Sequence, residues 1–135
     1  MKENVNGNMN VFETFNAGQL VLPNHVKSFA EVDWSKHAVF EGVELKHIIT
    51  AKETDGVFSF HLVRIAPNCS IGEHVHENQV ETHEVIAGDG ICVNFGETLP
   101  YESGTISIFQ AGVKHEVRAG KDGLYLFAKF MPALC

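Results

Sequence analysis

"GEHVHENQVETHEVIAGDG", residues 72–90, is the stretch on which the fold turns. His74 and His76 alternate around Val75, and side chains on a β-strand alternate faces with period two. On a strand the two imidazoles point the same way, near enough to chelate one ion. Glu81 and His83 share a face of the next segment by the same rule. The intervening "ENQV" is a turn that folds this second segment back beside the first, bringing a carboxylate oxygen to the two histidines. Gln79, within that turn, would replace Glu81 only if the register slipped. Farther on, Gly88-Asp89-Gly90 reads as a hairpin turn between "THEVIA" (82–87) and "ICVNF" (91–95), because Gly and Asp tolerate positive φ.

The same texture extends along most of the chain. "ELKHIITA" (44–51), "GVFSFHLVRIAP" (56–67) and "GTISIF" (104–109) read as strands. "KHEVRA" (114–119) and "LYLFAKF" (124–130) read as strands around a second turn, Gly120-Lys121-Asp122-Gly123. No stretch after residue 40 sustains a helical apolar period, so an all-β sandwich or barrel is expected. One short helix is expected in the first 40 residues, around "HVKSFAEV" (25–32). The polar, Asn-rich residues 1–10 are expected to form a flexible tail, and residues 11–135 a single domain.

A barrel built from these strands brings His115, in "QAGVKHEV", to the first three side chains. Three imidazoles and one carboxylate suit Zn, Fe, Mn, Ni, Co or Cu. Eight histidines in 135 residues also include ordinary ones, and His25, His37 and His47 are taken as surface or satisfied core residues. His61 and His83 are candidate acids or bases of the pocket, since imidazole titrates near neutral pH. Arg64 is a candidate for binding a substrate carboxylate but lies on the opposite strand parity from His61. Phe95, Phe109, Phe127 and Phe130 are expected in the core.

Composition narrows the function. A formal net charge of −7 disfavours nucleic acid and anionic lipid as partners. No apolar run reaches the length of a membrane span. The N-terminal "MKENVNGNMN" lacks the apolar core of a signal peptide, so a cytoplasmic protein is expected. Cys69, Cys92 and Cys135 are odd in number and form no CxxC, as free thiols would. The alternative for Cys92 is a position near the site, tuning it.

With these residues in view, the chain resembles the cupin superfamily, specifically small single-domain bacterial cupins with an RmlC-like barrel. The first cupin motif, G(X)5HXH(X)3–4E(X)6G, is matched by His74-Val75-His76, four residues, Glu81, six residues and Gly88. Asn68 stands where its leading glycine would be. The second, G(X)5PXG(X)2H(X)3N, is matched by Gly104, Gly112 and His115, with Gln110 in place of proline and Ala119 in place of asparagine. The similarity runs from about residue 43 to residue 130. It implies a double-stranded β-helix, or jelly-roll β-barrel. It implies one divalent transition metal (Fe, Mn, Zn or Ni) held by His74, His76, Glu81 and His115. It also implies a homodimer, for which residues 11–39 could supply a strand that crosses to the partner. Cupins with this ligand set include dioxygenases, decarboxylases, isomerases and lyases, as well as proteins of no known activity. The expectation is a metal-dependent enzyme acting on a small organic substrate, with dioxygenase-like chemistry favoured. The alternative is a non-catalytic cupin that binds a small molecule or metal.

Overall fold

A computed structural model describes residues 5–135 of the chain. The chain opens with helix α1 (Val5–Asn16) and a two-stranded ribbon, β1 (Gln19–Val21) and β2 (Val26–Ser28). A 3-10 turn (Phe29–Glu31) leads to β3 (Ser35–Lys36), β4 (Val43–Ile49), the short helix α2 (Ala51–Thr54), β5 (Ser59–Ile65) and β6 (Ser70–His74). The remainder is β7 (Val80–Asn94), β8 (Glu97–Tyr101), β9 (Ile106–Phe109) and β10 (His115–Met131). All pairings are antiparallel, in the path β3-β4-β5-β10-β7-β8, with β6 on β10 and β9 on β7. This is the expected all-β jelly roll.

Two long strands build both walls. The second half of β10, Leu124–Met131, pairs with β5 on one side and with residues 80–88 of β7 on the other, while β9 pairs with residues 81–84. The first half of β10, from His115 to Ala119, pairs with β6 and with residues 90–94 of β7, which also pair with β8. The crossing from one wall to the other falls where turns were expected. Gly88-Asp89-Gly90 and Gly120–Gly123 are not hairpin turns; β7 and β10 run through them, facing each other across a shift in register. Gly88 has φ +75, and a Cβ there would stand 2.1 Å from the Gly123 carbonyl oxygen. The glycines let two bent strands touch, which is how a strand changes sheets.

Between the walls lies a core that includes Val63, Ile65, Val85, Leu124, Leu126 and Phe130. A second cluster, Phe12, Phe29, Ile48, Leu62 and Phe127, covers the outside of the sheet formed by β4, β5 and β10. Phe12 sets its ring edge-on to Tyr125 at 5.1 Å, and Phe15 does the same to Phe127. Residues 5–10, expected in a flexible tail, are therefore the first half of a helix; residues 1–4 lie outside the described residues. The helix expected around residues 25–32 is strand β2 followed by the 3-10 turn. Of residues 11–39, considered for a crossing strand, Phe12, Leu20, Phe29 and Trp34 pack in this second cluster, and β3 pairs with β4. No helix among the described residues is long and apolar enough to cross a membrane.

Candidate metal centre

The site assembles at one end of the barrel from three elements. His74 is the last residue of β6, and His76 follows in the turn. Glu81 and His83 lie on the inward face of β7, where residues 81, 83, 85 and 87 are buried in alternation. His115 opens β10, directly opposite His74. The loop before it is tied to the HxH segment by the Gly112 N–H, which donates to the His76 carbonyl at 2.9 Å. Asn68, standing where the first motif has glycine, has φ +61, a left-handed conformation that Asn tolerates better than most residues. The substitution thus keeps the turn that leads into β6.

Hydrogen bonds fix which nitrogens are free. His74 donates its Nδ1–H to the Gly72 carbonyl at 2.8 Å, and His115 donates its Nδ1–H to the Val113 carbonyl at 3.1 Å. In the neutral form each ring keeps a bare lone pair on Nε2. The His115 Nε2 lies 3.0 Å from Glu81 Oε1, and the His76 Nε2 lies 3.5 Å from the same oxygen. One ligand atom from each of His74, His76, Glu81 and His115 lies within 4.8 Å of all the others. Lone pairs facing a carboxylate oxygen at these distances repel unless a proton or a cation stands among them. The donor set is thus a group that could hold a metal ion, borderline in softness.

Electrostatics keep Glu81 charged and His74 and His76 neutral. Burial would raise the Glu81 carboxyl, but His83, and His115 when a proton sits on its Nε2, overcome it and hold Glu81 well below the ordinary carboxylate range. Burial lowers His74 and His76, so both rings are neutral near pH 7. A second layer holds Glu81. His83 donates its Nε2–H to Glu81 Oε2 at 2.7 Å and accepts at Nδ1 from the Tyr101 hydroxyl at 3.0 Å. Tyr101 is 1% exposed and within hydrogen-bonding contact of Ser107 and Cys92. Phe109 stacks on His115 with centroids 3.9 Å apart, and Phe130 meets His76 edge-on at 5.0 Å.

Glu81, His74 and His76 face a cavity of about 260 Å³, walled by Val63, Leu126 and Phe130 and rimmed by Ser35 and Lys36. His83 lines it too, but with both ring nitrogens engaged. His61 is fully buried, its Nδ1 2.8 Å from His47 Nδ1 and its Nε2 2.7 Å from Ser59 Oγ; His47 faces the cavity in its stead. Arg64 bonds Glu44 at 2.9 Å and lies over the Trp34 ring, away from the site. Gln79 donates to the Pro132 and Ala133 carbonyls. His37 accepts the Val39 and Phe40 N–H groups, and His25 is exposed. Phe109, Phe127 and Phe130 are buried as expected, but Phe95 is 82% exposed at a turn, with φ +52. Tyr101 went unread in the sequence. Its only signal was an aromatic hydroxyl at the end of a strand, and a buried hydroxyl needs a partner.

The cupin domain family model matches residues 61–127. The oxalate-binding protein of Thermotoga maritima is 24% identical over 76 residues, 56% of this chain and 63% of that protein. This chain thus matches less than two thirds of that relative's length. Among solved structures, a predicted oxalate decarboxylase from Thermotoga maritima superimposes with a TM-score of 0.70 at 21% identity, covering 76% of this chain and 95% of that one. An RmlC-like cupin from Shewanella frigidimarina gives 0.69 at 13% identity, covering 87% and 96%. Fold, motif spacing and family match agree: the chain belongs to the cupin superfamily.

Proposed function

We propose that this cupin holds one divalent transition metal with His74, His76, Glu81 and His115, and uses it to bind a small carboxylate in the cavity. The observation that carries the reading is that one donor atom from each of three imidazoles and one carboxylate lies within 4.8 Å of all the others, with the Nδ1–H of His74 and His115 tied to backbone carbonyls. A dication offset by one carboxylate leaves net positive charge, which favours an anionic ligand. The apolar Val63, Leu126 and Phe130 walls lower the local dielectric and so strengthen that attraction. The cavity volume suits a ligand of a few heavy atoms, and Lys36 at the rim adds attraction for an anion. His83 and Tyr101 keep the Glu81 carboxylate oriented. The matches named for oxalate, both from Thermotoga maritima, support a small dicarboxylate as the ligand class.

Binding is put ahead of catalysis because His61 and His83, the candidate acid–base groups, each have both ring nitrogens occupied within the protein. A bound metal would supply Lewis acidity to any ligand it holds. The dioxygenase-like chemistry draws no support from the relatives. Calorimetric titration of Mn(II)-loaded protein with oxalate tests the proposal. Saturable binding that disappears in His115→Ala is expected. No binding of oxalate, malonate or formate to the loaded protein would overturn it. Oxygen uptake with a bound substrate would move the protein to the enzymatic reading. A homodimer also belongs to this proposal. Ile106 and Ile108 stand exposed on β9, as an apolar contact between copies would require, and sedimentation of the purified chain tests it.

A further inference from the structure

Beside the cavity, which His47 lines, a second group of donors comes together. His47 on β4 and His61 on β5 are cross-strand partners, and their Nδ1 atoms approach to 2.8 Å with the rings perpendicular. The Cys135 thiol joins them, with all three donor atoms within 4.8 Å of one another. The thiol is brought there by an anchored segment. The Ala133 N–H donates to the Gly56 carbonyl at 3.0 Å, the Leu134 N–H to Ser59 Oγ at 2.8 Å, and the Cys135 carbonyl accepts from the Ala51 N–H. Gln79 adds two hydrogen bonds to the same segment. None of the three side chains belongs to the first group, and Cys135 is a free thiol.

We infer that His47, His61 and Cys135 form a second cation site, selective for a thiophilic ion such as Zn(II), with its fourth position open to water or a ligand. Two imidazole nitrogens and a thiolate are the donors that Zn(II) accepts, and a three-ligand set leaves one tetrahedral position free. Bond lengths of about 2.0–2.1 Å put tetrahedral nitrogens about 3.3 Å apart, so the His47–His61 pair opens by about half an ångström. His47 is only half-buried and has room to move. Ser59 supplies the outer support. With the His61 Nε2–H donated to Ser59 Oγ, His61 Nδ1 is an acceptor, and the His47 Nδ1–H fills the gap in the free protein. Binding moves the His47 proton to Nε2, and the cation takes its place. The thiol proton goes to solvent, so one proton is released per ion bound.

The two groups differ in one atom type, which makes the test selective. The first contains no sulfur, so a thiolate-to-metal charge-transfer band can arise only from a cysteine. Metal-free protein is titrated with Co(II) under reducing conditions and followed by near-ultraviolet and visible absorption, then displaced with Zn(II). Two equivalents are expected, one carrying the thiolate band. Cys135→Ser and His47→Gln should each abolish the band and retain one equivalent. His115→Ala should lose the other equivalent and keep the band, which separates this inference from the reading of the first site. Absence of a thiolate band in the wild-type protein, or its persistence in Cys135→Ser, overturns the second site.

Discussion

His61 gives the sharpest test of the electrostatics inside the barrel. It is fully buried, and burial together with His47 lowers its pKa from 6.5 to about 4. The folded chain thus keeps this imidazole neutral at pH values where the unfolded chain protonates it. Between pH 6.5 and 4 the unfolded state binds more protons, so stability falls as pH falls through that window. The contribution is fully present above 6.5 and lost by about 4. At about 1.4 kcal/mol per unit, the shift corresponds to about 3 kcal/mol. Urea unfolding of the wild type and His61→Gln, from pH 7.5 to 4 with chelator present, measures it. His74, His76 and His47 are also lowered by burial and give both proteins a common slope of the same sign. The wild type should lose about 3 kcal/mol more than the variant across the window. Parallel curves would refute the claim that His61 is held neutral by its surroundings.

Tyr101→Phe removes the donor to His83 Nδ1 in a buried position, and should cost about 1–3 kcal/mol by chemical denaturation. It should also weaken metal binding about tenfold to a hundredfold, as loss of outer support does. Gly88→Ala combines a left-handed φ with a Cβ 2.1 Å from the Gly123 carbonyl oxygen. Strain and overpacking together predict a loss of about 2–5 kcal/mol, read as a lowered thermal midpoint. Phe130→Ala empties a site that touches both His76 and His61 and should cost about 3–5 kcal/mol in the same assay.

The candidate ligand group was legible because most of its geometry is local. His74 and His76 are two residues apart, Glu81 follows a short turn, and strand parity does the rest. His115 needed the barrel to bring it in, and the motif resemblance supplied that. The long strands were misread for a physical reason. Positive φ at Gly88 and Gly123 is equally the mark of a tight turn and of two bent strands in contact, and sequence alone does not separate them. Helix α1 was missed because "VNGNMNVFETFN" holds four Asn, a Gly and three β-branched residues of low helix propensity. It forms because Phe12 and Phe15 pack on the sheet, a tertiary gain. Helix α2 did carry a readable signal: Thr50 and Glu53 form a capping box, with the Thr50 N–H donating to Glu53 Oε1 at 2.8 Å. The meeting of His47, His61 and Cys135 left no trace in spacing, since it depends on a cross-strand register and on where the last residues dock.

The central claim is that His74, His76, Glu81 and His115 hold one divalent ion. Mn(II) suits nitrogen and oxygen donors and has little affinity for the sulfur-containing group. Chelator-stripped protein should be titrated with Mn(II) while the electron paramagnetic resonance signal of the free ion is recorded. One equivalent should be taken up by the wild type and by Cys135→Ser, and none by His115→Ala or Glu81→Gln. Retention of that equivalent in both ligand variants, with their fold intact, would contradict the assignment.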